Sequence, residues 1–280
     1  MRKISAETVI EAVAQLCIDA NRNLCSDVYD KLREAEQAEE SPIGKSILGR
    51  IIENADIARE KQMPICQDTG MAVFFVELGN EVYIDGATIE DAINEGVRKG
   101  YTEGYLRKSV VADPLRRKNT GDNTPAIVHL SQVKGDKLSI TIAPKGFGSE
   151  NMSAVKMLKP SDGENGVKDF VVETASKGGS NPCPPIVVGV GIGGTMEKAA
   201  LLSKKALTVP LNEENPDPYY ADMERELLER INKLGIGPQG LGGRTTALKV
   251  NILTYPTHIA GLPVAVNISC HVTRHKTIVL

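Results

Sequence analysis

Apolar residues recur at helical spacing along the first sixty residues. In residues 5–24 they fall on one face, at Val9, Val13, Leu16, Cys17, Ala20 and Leu24. A serine can cap a second helix over 26–38, and a third helix is predicted over 44–61. We therefore predict a helical N-terminal layer over residues 1–62.

The pattern changes after this layer, and short apolar runs then alternate with helical segments. Strands are predicted over 72–78, 126–130, 137–142, 186–190, 248–252 and 262–268, and helices over 88–107, 195–207 and 219–234. Several strands alternate apolar and polar residues, which is typical of antiparallel pairing. The prediction is an α/β fold, with the helical layer followed by a mixed sheet with flanking helices over 63–280. We expect one domain over 1–280, and no internal repeat is evident.

Composition narrows the class of protein. The chain has 33 Lys and Arg against 36 Asp and Glu, so a basic nucleic-acid surface is not expected. No apolar run reaches the roughly 18 residues of a membrane helix, and the N-terminus does not resemble a secretory signal. We therefore expect a cytoplasmic protein with reduced cysteines and no membrane partner.

The five cysteines divide into two groups. Cys17 lies on the apolar face of the first predicted helix and Cys25 lies just before the second, so both are expected to be packing residues. Cys66, Cys183 and Cys270 lie in segments with proline, glycine or polar neighbours. Their wide separation does not match a zinc ribbon. Three thiolates suit an iron–sulfur cluster, while a catalytic thiol or structural thiols are the alternatives.

Two glycine patterns offer a different interpretation. Residues 189–194 and 235–240 both match G-x-G-x-x-G, and Glu213 follows the first match at about the distance of a ribose-binding acid. This acid lies in a polar break and not at a strand end. The two glycine matches nevertheless make an NAD-binding oxidoreductase the alternative function. A strand-to-helix turn of this kind can also bind a carboxylate.

Five ordered segments together resemble one enzyme family. They are PICQDTG (64–70), PKGFGSEN (144–151), NPCPPIVVGVGIGG (181–194), GIGPQGLGGRTTALKV (235–250) and NISCHVTRH (267–275). The chain resembles the α module of the iron–sulfur hydro-lyases, which comprise class I fumarate hydratases and L(+)-tartrate dehydratases. The resemblance implies reversible hydration of fumarate to (S)-malate as the first expectation, with dehydration of tartrate to oxaloacetate as the alternative.

The resemblance also implies a metal centre. Cys66, Cys183 and Cys270 would hold a [4Fe-4S] cluster whose fourth iron binds substrate. Gln67 is expected to bind the substrate, and Asp68 is expected to be catalytic. An open iron of this kind acts as a Lewis acid on a substrate hydroxyl.

Three further positions follow from the same resemblance. Arg107 would clamp a substrate carboxylate, for which a guanidinium is well suited. Gly148 would bind substrate through its backbone N–H, with Gly146 as the weaker choice, and His258 would be catalytic. Arg107 as a surface residue at a helix end and His258 as an ordinary loop histidine are the alternatives. The remaining histidines, His129, His271 and His275, are expected to have structural or supporting roles.

The resemblance finally implies a partner. The sequence ends at Leu280, where single-chain members continue into a β module that carries a threonine base. We therefore expect a separate β subunit, an α2β2 assembly and a small dicarboxylate substrate. A metal-bearing scaffold without activity is the third alternative.

Overall fold

The computed structural model describes residues 1–280. Its elements in chain order are β1 (Arg2–Ser5), α1 (Ala6–Arg22), α2 (Ser26–Ala38), α3 (Pro42–Lys61), β2 (Met71–Gly79), β3 (Val82–Asp85), α4 (Ile89–Glu103), β4 (Ile127–Val133), β5 (Leu138–Lys145), α5 (Phe147–Glu150), β6 (Ala154–Leu158), α6 (Gly163–Gly178), β7 (Ile186–Gly193), α7 (Met196–Ala206), α8 (Pro218–Asn232), β8 (Ala247–Tyr255), β9 (Leu262–Ser269) and β10 (Lys276–Val279). The predicted α/β class, with N-terminal helices and mixed sheets, is confirmed.

The chain divides into two compact units. Unit 1 contains Met1–Cys25, Ala55–Phe147 and Arg274–Leu280, and unit 2 contains Ser26–Asn54 and Gly148–Thr273. The N-terminal helices are therefore shared between the units. The expectation of one domain over 1–280 stays a prediction.

Two helices cover the core of unit 1. The side chains of Ser5 and Thr88 cap α1 and α4 by accepting N–H groups of the first turn. The helices approach closely because α4 has Gly96 and Gly100 where they meet. A Cβ on Gly96 would lie 2.6 Å from the Val13 Cβ, so a larger residue there would force the helices apart.

The main sheet of unit 1 has the strand order β10-β5-β2-β4. The buried strand β2 pairs antiparallel with β5 and parallel with β4. Because Met71 lies opposite Lys145, the start of β2 lies beside the end of β5. A separate pair, β1 and β3, is parallel.

The sheet of unit 2 repeats this pattern of strand directions. Its order is β6-β9-β7-β8, and the central strand β7 pairs antiparallel with β9 and parallel with β8. Val187 lies opposite Ser269, so the start of β7 lies beside the end of β9. Cys66 lies in the loop before β2 and Cys183 in the loop before β7, so each precedes the central strand of its own unit.

Most predicted elements are present with small shifts at their ends. The predicted helices over 5–24, 26–38 and 44–61 correspond to α1, α2 and α3. The helix α6 was not predicted, because Gly163 and Gly166 lower the helix propensity of its first turn. Its buried residues nevertheless recur at helical spacing, at Val167, Phe170, Val171, Thr174 and Ala175.

Candidate functional site

The first predicted site loop runs from α3 to β2 in unit 1. Cys66 is half-buried and Gln67 is exposed. The Asp68 backbone N–H donates to Cys66 Sγ at 3.4 Å, and Gln67 Oε1 lies 3.4 Å from the same sulfur. The loop thus brings the predicted residues 66, 67 and 68 together and directs one backbone N–H at the thiol.

The carbonyl groups of residues 68–70 are held by buried donors. Arg274 Nη2 donates to the carbonyl oxygen of residue 68 at 2.9 Å. Tyr101 Oη lies 3.0 Å from the carbonyl oxygens of residues 69 and 70, and Asn123 Nδ2 donates to that of residue 70 at 3.2 Å. Burial raises the pKa of Tyr101, so its hydroxyl stays protonated and available as a donor. Sequence reasoning missed all three donors.

The carboxylate of Asp68 is an acceptor for two backbone groups. Gly70 N–H donates to Oδ1 at 3.0 Å, and Phe147 N–H donates to Oδ2 at 2.9 Å. A Cβ on Gly146 would lie 3.1 Å from Oδ2, so this glycine leaves room for the carboxylate. Asp68 therefore joins the Cys66 loop to the loop that follows β5.

Arg107 lies beside the same loop. Its backbone N–H donates to Thr69 Oγ1 at 3.0 Å, and Thr69 Oγ1 in turn donates to the Arg107 carbonyl at 3.3 Å. The residue is exposed. Unit 1 therefore fixes the Arg107 backbone near Cys66 and leaves its guanidinium accessible to an anion.

The other two predicted cysteine ligands lie close together in sequence-distant loops of unit 2. Cys183 is exposed and has a backbone φ of 54°, a left-handed conformation that is uncommon for residues other than glycine. The His271 N–H donates to the Cys183 carbonyl at 3.4 Å, and His271 Nδ1 lies 2.9 Å from the same oxygen. Cys270, half-buried at the end of β9, is thereby held next to the Cys183 loop.

Gln239 supports this contact from the second glycine-rich segment. Its backbone N–H and its Nε2 both donate to the Pro184 carbonyl at 2.8 Å, and Nε2 lies 3.2 Å from His271 Nδ1. Its φ is 53°, so the segment turns sharply at this residue. Gln239 is a fourth residue that sequence reasoning missed, although its glycine-rich motif was noted.

The same segment binds a carboxylate of the chain itself. Glu39 is 5% exposed and accepts the N–H groups of Ser41, Arg244 and Thr245. Burial raises the pKa of Glu39, but these backbone hydrogen bonds outweigh burial and lower it. The loop after the second G-x-G-x-x-G match therefore holds an internal anion.

The first glycine match does not form a phosphate-binding turn. Gly189 and Gly191 lie inside β7, where a Cβ on Gly191 would overlap the Ala199 carbonyl of α7. The glycines serve the close packing of this strand against the helix. The predicted dinucleotide-binding alternative is therefore wrong for this motif.

His258 lies at the other end of the unit 2 sheet from Cys183. It is in the exposed turn between β8 and β9, beside the end of β7. The strand between the two sites spans about 23 Å at 3.3 Å per residue. His258 Nδ1 accepts the Ala260 N–H at 3.2 Å, so a neutral ring carries its proton on Nε2. The structure does not bring His258 to Cys183, and its catalytic role stays a prediction.

Gly148 lies in α5, and a Cβ there would be 3.8 Å from the Asn181 carbonyl. The neighbouring Glu150 pairs with Lys204 of α7 and accepts Asn267 Nδ2 at 3.1 Å. Burial lowers the pKa of Lys204, although Glu150 opposes this shift. This cluster anchors the Gly148 segment to β9, and the role of Gly148 in binding stays a prediction.

The remaining cysteines have different surroundings. Cys17 is fully buried, and burial raises the pKa of its thiol, so it stays protonated. Cys25 Sγ donates to the His275 carbonyl at 2.8 Å. No cysteine forms a disulfide. The exposed or half-buried thiols of Cys66, Cys183 and Cys270 therefore fit a thiolate-bound metal group better than Cys17 does.

Comparison with known proteins agrees with the motif resemblance. The family model described as fumarate hydratase (Fumerase) matches residues 10–279. A protein of Methanocaldococcus jannaschii, provisionally named L(+)-tartrate dehydratase subunit alpha, is 46% identical over 95% of both chains. The L(+)-tartrate dehydratase subunit alpha of Escherichia coli UTI89 is 35% identical over 96% of this chain and 89% of its own. No helix has the length and apolar character needed to span a membrane.

Proposed function

Because the chain belongs to the iron–sulfur-dependent family of class I fumarate hydratases and tartrate dehydratase α subunits, we propose that it is the α-type subunit of a hydro-lyase. Its substrate would be a small dicarboxylate. The observation that carries the proposal is the contact of His271 with the Cys183 carbonyl, which brings two predicted thiolate ligands to one end of a sheet.

We assign Cys66, Cys183 and Cys270 as the ligands of a [4Fe-4S] cluster. Support comes from their accessible thiols and from the equivalent places of Cys66 and Cys183, each before a central strand. When bound, such a cluster supplies a Lewis-acidic iron for a substrate hydroxyl. Its sensitivity to air supports a reducing, cytoplasmic location.

The side chains near Cys66 would bind and orient the substrate. The exposed Arg107 offers a forked donor to one carboxylate, and the exposed Gln67 offers an amide beside the thiol. Asp68 is held by the N–H groups of Gly70 and Phe147, which keep its carboxylate in a defined place for proton transfer. Gly148 is proposed to add a backbone N–H donor. Because His258 lies at the other end of the unit 2 sheet from Cys183, its proposed catalytic role would require the His258 of the other α chain in the α2β2 assembly.

Two substrates are candidates. Hydration of fumarate to (S)-malate is the first, and it agrees with the description of the matching family. Dehydration of L(+)-tartrate to oxaloacetate is the second, and the names of the relatives favour it. Both reactions break or form a C–O bond next to a carboxylate, so the same α-type residues suit either.

A separate β subunit is proposed to complete the active site in an α2β2 assembly. The support is that the relatives carry the name subunit alpha. The β subunit would supply the threonine base that the family resemblance implies. The α chain alone should therefore bind the cluster but turn over little substrate.

The test is anaerobic reconstitution of the chain with its β partner, followed by assays on (S)-malate, fumarate and L(+)-tartrate. We expect about four irons per chain and turnover of one of these substrates. Cys66→Ser, Cys183→Ser and Cys270→Ser should each lose iron, whereas the matched variants Cys17→Ser and Cys25→Ser should keep it. Equal iron in all five variants would contradict the ligand assignment. A fully loaded pair without hydro-lyase activity would instead support the scaffold alternative.

A further inference from the structure

We propose that Arg274 is a positioning residue for Asp68. Arg274 is only 4% exposed, and both groups that accept its hydrogen bonds are neutral. Nη1 donates to Asn21 Oδ1 at 2.7 Å and Nη2 donates to the Asp68 carbonyl at 2.9 Å. Its buried Nε has no hydrogen-bond partner.

A buried guanidinium usually pairs with a carboxylate, because an unpaired charge is costly inside a protein. Arg274 forms no ion pair, and its nearest acidic neighbour in the loop is Asp68. A Cβ on Gly146 would lie 3.1 Å from Asp68 Oδ2 and 3.9 Å from Arg274 Nη2. The cation and the carboxylate therefore both face this glycine, and the positive charge lies on the side of the loop that carries Asp68.

Besides the contact of its own N–H with Cys66 Sγ, Asp68 is held by three donors, and only one of these donors is a side chain. Gly70 N–H and Phe147 N–H hold the two carboxylate oxygens, while Arg274 holds the backbone carbonyl. The carbonyl belongs to the peptide bond that follows Asp68. Without Arg274 this peptide is able to rotate, and the Asp68 carboxylate moves with it away from Phe147.

The neighbouring carbonyls provide an internal comparison. Tyr101 holds the oxygens of residues 69 and 70 but not that of Asp68. Tyr101→Phe therefore removes a buried donor from the same loop without touching the contact made by Arg274. The two substitutions separate positioning of Asp68 from general stability of the loop.

The reporter is the amide of Phe147, whose N–H donates to Asp68 Oδ2 although the residue is 49% exposed. Amide hydrogen exchange is measured on the full chain for wild type, Arg274→Gln, Arg274→Lys and Tyr101→Phe. We expect exchange at Phe147 to be at least about tenfold faster in Arg274→Gln, partly restored in Arg274→Lys and unchanged in Tyr101→Phe. Arg274→Lys also serves if the glutamine variant does not fold.

A second arm, which rests on the proposed function, measures kcat and KM at equal iron content. A displaced Asp68 should lower kcat about 10- to 100-fold in Arg274→Gln with little change in KM. Unchanged Phe147 exchange in both Arg274 variants would overturn the inference, as would equal acceleration in Tyr101→Phe. If the wild-type pair has no hydro-lyase activity, the proposed function fails, while the exchange measurement still decides the role of Arg274.

Discussion

Glu39→Gln is the sharpest test of how unit 2 holds its glycine-rich loop. The carboxylate accepts Arg244 N–H at 2.8 and 3.0 Å from its two oxygens, and Thr245 N–H at 2.9 Å. It also accepts Ser41 N–H at 3.1 Å. A glutamine keeps one acceptor oxygen but turns an NH2 group toward these donors, so at least one half-buried N–H loses its partner.

The magnitude follows from these bonds. A hydrogen bond to a charged group contributes roughly 1.5–3 kcal/mol, and one between neutral groups roughly 0.5–1.5 kcal/mol. Loss of about one such bond and weakening of the others lowers the free energy of unfolding by about 3 kcal/mol. Because the folded pKa of Glu39 is lowered, its stabilisation is present above the unfolded pKa and is lost as pH falls through the folded value.

The assay is urea unfolding of wild type, Glu39→Gln and Glu40→Gln at pH 7 and near pH 3. Glu40 is the matched control, because its exposed carboxylate makes a surface ion pair with Arg244 Nη1 at 2.8 Å. Such a pair contributes roughly 0–1 kcal/mol. The reasoning is refuted if Glu39→Gln costs no more than Glu40→Gln at pH 7, or if its cost is the same at both pH values.

Three further predictions concern packing and charge. Gly191→Ala should lower the free energy of unfolding by about 2 kcal/mol or more, because its Cβ would overlap the Ala199 carbonyl. Because this glycine serves packing, titration of the wild type with a nicotinamide dinucleotide should show no saturable binding. Lys204→Met should lower the free energy of unfolding by about 2 kcal/mol, because Glu150 loses the Lys204 cation. The double variant with Glu150→Gln should regain part of this stability, as measured by thermal unfolding. Burial raises the pKa of Asp122, but its hydrogen bonds lower it to about 2. Asp122→Asn should therefore be less stable than wild type at pH 7, and thermal unfolding should show the difference shrinking as pH falls from about 4 toward 2.

Local periodicity was sufficient for the long elements of the fold. The stripe in α1 and the apolar run in β2 bury the faces that their patterns indicate. The short strands β1 and β3 were not predictable, since each is only four residues long and is stabilised by the other. Their pairing depends on residues about eighty positions apart, which no local pattern reveals.

The candidate site likewise contains residues that local sequence patterns predict and residues that they do not. The cysteine motifs and Arg107 stand out because they interrupt the pattern of helices and strands with prolines, glycines and charges. The supporting residues Arg274, Gln239 and Glu39 were missed because each acts on a segment far away in sequence. Arg274 and Gln239 lie inside two of the segments that carry the family resemblance, 267–275 and 235–250, whereas Glu39 lies in an acidic run that gives no sign of its burial.

The two cysteine loops are stabilised by equivalent contacts made with different chemistry. In unit 1 the Asp68 carboxylate accepts the N–H of Phe147, which follows β5, and in unit 2 the N–H of His271, which follows β9, donates to the Cys183 carbonyl. Each contact satisfies polar groups at a sheet end where the strand ladder stops. Neither contact uses a cysteine thiol, and a serine hydroxyl at position 66 can still accept the Asp68 N–H that Cys66 Sγ accepts, so we expect the loops to keep their geometry when sulfur is replaced by oxygen. A loss of iron in Cys66→Ser or Cys183→Ser therefore reports on the ligand itself and not on the folding of its loop.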